Sequence, residues 1–146
     1  MRGVALSALA VAALVCWPGA ALGASQQYNG PTAAGANAGV EFGARLARGR
    51  PVAVRRFSWF NLPAQCKGSS PTATSDMLGI TMRVSAKRAF HGTASFNGGR
   101  ASVTVAGTFT RNFKQATGTI RVQGTITGCQ AADSGSVHWT APAVGH

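Results

Sequence analysis

Two stretches of this chain alternate with a period of two and leave little choice of secondary structure. From Ala116 to Thr127 the even positions read Ala, Gly, Ile, Val, Gly, Ile and the odd positions Thr, Thr, Arg, Gln, Thr, Thr. From Ala101 to Thr110 the odd positions are Ala, Val, Val, Gly, Phe, against Ser, Thr, Ala, Thr, Thr. A helix needs apolar residues at three- and four-residue steps, which both stretches lack. Each is therefore a strand with one buried and one wet face, since successive side chains on a strand point to opposite sides. The same test finds strands at Val40 to Arg45, Val52 to Asn61, Leu78 to Ser85, Phe90 to Phe96 and Val137 to Ala141. Turn residues separate them at Gly49-Arg50-Pro51, Asn97-Gly98-Gly99 and Asp133-Ser134-Gly135. Between Val54 and Phe57 the apolar phase slips, which predicts a bulge at Arg55-Arg56. The expected fold is all-β: an antiparallel β-sandwich or small barrel of about seven strands. Residues 25–39, small and polar without period, read as a flexible lead-in; 40–142 read as a single β domain and 143–146 as a tail.

The first 24 residues have the layout of a secretory signal peptide. Arg2 supplies a positive start, Val4 to Val15 is an unbroken run of apolar and small residues, and cleavage is expected after Gly23 or Ala24. The run is short of the roughly 20 residues that span a bilayer, so no transmembrane segment is expected after cleavage. Cys16 would leave with the leader. Cys66 and Cys129 remain, and in an oxidising compartment two cysteines without a Cys-x-x-Cys pair or nearby His are expected to form a disulfide. An immunoglobulin domain is not expected, because no Trp follows Cys66 at the usual distance and Thr127 stands where a tyrosine corner would sit.

From about Val40 to Pro142 the order of features is Gly107-x-Phe109, Ala116-x-Gly118-Thr119-x-Arg121-Val122, Cys129 and Ser134-Gly135-x-Val137-x-Trp139-Thr140-Ala141. In this order the chain resembles a family of small secreted all-β proteins of actinobacterial type. The resemblance implies an exported all-β fold and brings no activity with it.

Charge is the feature that points to a partner. The chain has 14 Lys and Arg against 3 Asp and Glu; losing Arg2 with the leader leaves 13 cations against 3 acids, a charge of +10. Arg45, Arg48, Arg50, Arg55 and Arg56 fall close together, with no acid between Glu41 and Asp76. Arg83 and Arg121 occupy the wet faces of their strands by alternation. Guanidinium groups suit phosphate, sulfate and carboxylate, often bidentately, and a strongly positive field speeds encounter with any polyanion. These seven arginines are the candidate binding residues, and an anionic cell-envelope polymer or polysaccharide is the expected partner. A dedicated nucleic acid partner is not expected, for want of a recognised nucleic-acid motif.

No catalytic set, metal or cofactor is expected. Asp133-Ser134-Gly135 lacks the glycines that flank a protease serine and reads as turn chemistry. Glu41, Asp76 and Asp133 make a carboxylate pair possible without suggesting one. Cys129 and His138 have no Met after them, as a copper site would need. Two alternatives remain: a small secreted hydrolase, requiring His91 or His138 beside Asp76 or Asp133 in a cleft, or a barrel holding a small apolar ligand against Val103, Ile120, Ile126 and Trp139. In the latter case Gly107, Gly118 and Gly124 either make room for the ligand or mark bends, the second being favoured. Phe57 and Trp59 are assigned to the core, and Phe60 to the opposite face of their strand.

Overall fold

The computed structural model describes residues 23–145; residues 1–22, most of the expected signal peptide 1–24, and His146 lie outside the described residues. It contains ten strands: β1 (Ser25–Thr32), β2 (Gly35–Ala47), β3 (Arg50–Cys66), β4 (Ser69–Met77), β5 (Met82–Arg83), β6 (Ala89–Phe96), β7 (Ala101–Phe109), β8 (Gln115–Ile126), β9 (Cys129–Asp133) and β10 (Val137–Pro142). Every pairing is antiparallel. β4 and β5 follow one another along one edge of β3, and β9 and β10 along one edge of β8. β10 also pairs with β1, so β1, β2, β3, β9, β8 and β10 close a hydrogen-bonded ring. The turn from β5 to β6, where Ser85 N–H donates to Ala89 O at 2.8 Å, carries the wall on to β6 and β7. Of the two architectures expected from the alternation, the fold is the barrel. Among the described residues no helix is long and apolar enough to cross a membrane.

The alternating faces meet in one core. Val103, Val105 and Phe109 from β7 and Ala116, Ile120 and Val122 from β8 pack with Val40, Phe42, Phe57 and Trp59 from β2 and β3. Trp139 lies at the centre, its ring 5.8 Å from Phe42 and 5.7 Å from Phe57, both edge to face. Its space exists because Gly107 and Gly118 face one another across β7 and β8. A Cβ on Gly107 would lie 2.8 Å from Trp139 Cη2, and one on Gly118 2.5 Å from Cζ2. These two glycines therefore make room for the chain's own indole, and neither marks a bend. Gly124 does mark one: its φ is 116° and the β8–β9 register shifts beside it.

The bulge in β3 falls where the phase slip predicts it. Glu41 pairs with Ser58 but Gly43 with Arg55, so Arg56 and Phe57 together oppose Phe42, and Arg56 has a φ of 53°. Phe57 and Trp59 are buried, whereas Phe60 lies outside across Gly39. Cys66 and Cys129 form the expected disulfide, with a Cα separation of 5.8 Å. It ties the end of β3 to the start of β9, beside the short pairing of Gln65 with Asp133 and Cys66 with Ala132.

Two boundaries differ from the sequence reading. Residues 25–39 are not a flexible lead-in: they form β1 and the start of β2, and Tyr28 is fully buried, its hydroxyl donating to Phe113 O at 2.7 Å. The stretch lacks apolar alternation because its pairing partners leave little room. A Cβ on Gly30 would collide with the Thr140 carbonyl, so smallness here permits close backbone approach. The tail is likewise tied down, with Ala143 N–H donating to Lys114 O and Val144 N–H to Gln27 O, each at 2.8 Å. β4 and β9 are also absent from the sequence reading, and of Leu78 to Ser85 only Met82–Arg83 is strand.

Candidate polyanion-binding surface

Because the wall follows chain order, alternate turns fall at the same end of the barrel. The β2–β3 turn presents Arg48 and Arg50, the β5–β6 turn Lys87 and Arg88, and the β7–β8 turn Arg111 and Lys114. These three turns touch. Arg50 sits over the Phe113 ring, 5.9 Å from its centroid, a cation–π geometry. Arg88 Nε donates to Phe109 O at 3.1 Å, and Phe109 N–H donates to Arg88 O at 3.0 Å. Between them lies a groove of about 220 Å³ lined by Arg50, Ser85, Arg88 and Phe113. Arg50 and Arg88 are thus held by an aromatic face and a carbonyl, which limits the side-chain entropy they lose on gripping an anion.

The wall below this end continues the charge. Arg45 pairs with Ala53 and Ala53 with Arg83, so both arginines flank one small residue on the outer face. Arg55 lies one rung further on, opposite Gly43. Strands are about 4.8 Å apart, placing the Arg45 and Arg83 backbones roughly 10 Å from one another. Arg56 is turned by its bulge toward Glu41, with which it lines a separate depression. All three acids of the chain lie away from the basic end: Glu41 opposite Ser58, Asp76 opposite Trp59, and Asp133 beside the disulfide seam.

Backbone geometry singles out the same residue type. Among the described residues six non-glycine residues have positive φ, and three are arginines: Arg48 (51°), Arg56 (53°) and Arg88 (65°). Left-handed backbone costs an ordinary L-residue roughly 1–2 kcal/mol, and Asn or Gly is the usual occupant. Turn chemistry therefore does not account for arginine at these positions.

Arg121 does not join this surface. Its Nη2 lies 2.7 Å from Asp133 Oδ2 and its Nε donates to Oδ1 at 3.1 Å, a bidentate pair on an exposed part of the wall. Gly135 N–H also donates to Asp133 Oδ1 at 2.8 Å, and Gly135 has a φ of 63°, the turn chemistry read from Asp133-Ser134-Gly135. The Arg121 hydrogen bond first, then that of Gly135, lowers the Asp133 carboxyl from 3.8 to about 2. A carboxylate depressed on folding stabilises fully above its unfolded value, and the contribution disappears as the pH falls through about 2. Salt screens an exposed pair, so the loss of stability is small. In a carboxyl-resolved NMR titration Asp133 is expected to titrate near 2 and to move up toward 3.8 in Arg121→Gln; an unchanged midpoint in the variant would remove Arg121 as the cause.

The residues of the alternative readings are dispersed or packed. His91, Ala106, Thr119 and His138 lie in one outward row across β6, β7, β8 and β10. Asp76 stands on β4 and Asp133 on β9, and no His–carboxylate ion pair occurs among the described residues. Nor do three His, Cys, Asp or Glu side chains gather in a metal-holding group there. Val103, Ile120 and Trp139 are packed within the main core, and Ile126 joins Ala64, Ala101 and the cystine in a second cluster.

Lys87, Arg88 and Lys114 are the members of the surface that sequence reasoning missed. Turn parity was the available signal, since alternate turns of a closed meander share an end. The fold and surface together define a disulfide-bonded antiparallel barrel with one strongly cationic end. No family model, curated protein or solved structure matches the chain.

Proposed function

We propose that this protein is a secreted, non-catalytic β-barrel that binds an anionic envelope or extracellular polymer through its basic end. The observation that carries the reading is the convergence of Arg48, Arg50, Lys87, Arg88, Arg111 and Lys114 on three touching turns with no acid among them. The N-terminal leader pattern supports export, and a disulfide is consistent with an oxidising compartment. The left-handed arginines add a physical argument, because strained backbone kept at charged positions is a recurrent mark of functional surfaces.

The test is co-sedimentation of the oxidised protein with isolated bacterial envelope, and titration with long-chain polyphosphate, at low salt and near physiological salt. Affinity for polyphosphate is expected to fall on the order of tenfold or more across that range, as counterion release requires. Arg48→Asn converts the turn to Asn-Gly, the preferred sequence for two left-handed residues. Arg48→Asn combined with Arg88→Asn is expected to bind polyphosphate and envelope more weakly while melting higher, each substitution adding up to ~1 kcal/mol. Unchanged binding by the double variant would overturn the assignment of this end.

A further inference from the structure

The barrel wall is interrupted beside β4, and the gap has its own chemistry. β5 pairs with β3 at Ala53 and Val54, and its Met82 packs with Ile80 over β6, where a Cβ on Gly92 would lie 2.8 Å from both side chains. Above the break at Leu78 to Thr81, β4 pairs with β3 only, so β4 and β6 diverge. The result is a wedge of about 380 Å³ lined on one side by β4 and on the other by Phe96, Asn97, Ile126 and Thr127, at the β6–β7 and β8–β9 turns. Its size falls within the range usual for small-molecule sites, and a barrel mouth is a usual place for one.

The inner face of β4 is polar. Its inward positions are those opposite the buried residues Ala64, Leu62 and Trp59, and they hold Thr72, Thr74 and Asp76. Thr74 is fully used, accepting from Trp59 Nε1 at 3.0 Å and donating to Leu62 O at 3.2 Å. The others retain free capacity toward the wedge. Asp76 Oδ1 accepts Met77 N–H at 2.8 Å, leaving Oδ2. Across the gap Asn97 Nδ2 donates to Thr125 O at 2.8 Å, leaving its side-chain oxygen, and Thr127 adds a hydroxyl. Phe96 supplies a half-buried ring, itself held edge to face on Trp59 at 5.4 Å.

A carboxylate oxygen, an amide oxygen and two hydroxyls call for a ligand rich in donors, and the ring calls for an apolar face. A cationic ligand satisfies the carboxylate but must approach a strongly positive molecule. A wedge flanked across from β4 by the β6–β7 and β8–β9 turns suits a compact ring better than an added strand, which needs an edge open along its length. We propose that this wedge binds a neutral saccharide, with one sugar ring stacked on Phe96 and hydroxyls donated to Asp76 and Asn97.

This site is separate from the basic end, and its test is chosen to keep the two apart. Chitotetraose and maltotetraose are titrated into the oxidised protein at high salt, following the indole N–H of Trp59 and the side-chain amide of Asn97 by NMR. At least one sugar is expected to shift both signals, with a Kd on the order of 1 mM. Asp76→Ala is expected to weaken binding about tenfold, a loss of one charge-assisted hydrogen bond, with Asp76→Asn intermediate. Arg48→Asn with Arg88→Asn leaves the sugar titration unchanged. Three results would each overturn the proposal: no shift with either sugar, equal affinity in Asp76→Ala, or displacement of the sugar by an uncharged extended peptide pairing with β4.

Discussion

Replacing Cys66 and Cys129 together by Ala is expected to destabilise the protein by about 4 kcal/mol, because the bridge closes a loop with a sequence separation of 63. For a domain of this size that loss corresponds to a fall in Tm on the order of 15 °C. The position of the bridge concentrates the effect. Around Cys66 the connection between β3 and β9 consists of Gln65 with Asp133, Cys66 with Ala132, and a 3.4 Å hydrogen bond from Lys67 N–H to Ala131 O. The adjoining apolar cluster is built of small residues, Ala64, Ala101 and Ala132, together with Ile126 and the cystine itself. Little else holds the seam. Thermal melts of the oxidised and double-alanine proteins measure the total loss, and amide exchange at β9 locates it. A loss below about 1 kcal/mol would mean that the unfolded chain is already restricted without the bridge.

The second large effect is expected at Gly118. A Cβ there would collide with the Ala106 carbonyl and lie 2.5 Å from Trp139 Cζ2 and 2.8 Å from Gly107 Cα. Two of those neighbours are backbone and the third is a ring enclosed by Phe42, Phe57 and Phe90, so nothing nearby can yield cheaply. Gly118→Ala is expected to cost about 3 kcal/mol, the upper range for overpacking a close-packed core. Gly79→Ala is the control: nothing lies within 4 Å of its Cβ position and its backbone is not left-handed. Denaturant unfolding of the two variants separates the readings. If Gly118→Ala proves as mild as Gly79→Ala, the indole does not occupy the space between the glycines in solution. Trp139→Ala, by leaving that space empty, is expected to cost about 3–5 kcal/mol, so the same pocket is intolerant of both addition and removal.

The intolerance at Gly118 also shows what a glycine in an alternating strand can and cannot reveal. At Gly107 and Gly118 the pattern marks the correct inward face, yet it does not name the occupant. Trp139 comes from a strand reached only after two more turns of chain. The same limit applies to β1. Tyr28 is the one large apolar side chain in SQQYNGPT, too little for a period, and the strand forms because its backbone hydrogen-bonds to β2 on one side and contacts β10 on the other. β4 escapes detection for a different reason: its inward residues Thr72, Thr74 and Asp76 are polar, so the strand carries no apolar alternation.

What the sequence determined alone is therefore local or compositional. Alternation specified strands with a buried face, the Val54–Phe57 slip located the Arg56 bulge, turn residues set the hairpin at Asn97 and the turn at Asp133, and the cysteines specified the bridge. Each depends on side-chain direction or turn geometry within a few residues, or on a count. Tertiary structure decided the rest: closure into a barrel through β10 between β8 and β1, the filling of the glycine space by Trp139, and the composition of the basic end. Arg121, read as part of the cationic surface, is paired with Asp133, while Lys87, Arg88, Arg111 and Lys114 join Arg48 and Arg50 from turns far away in the chain. The physical reason is that charge acts through distance in space, and strand order, which no local pattern encodes, sets those distances.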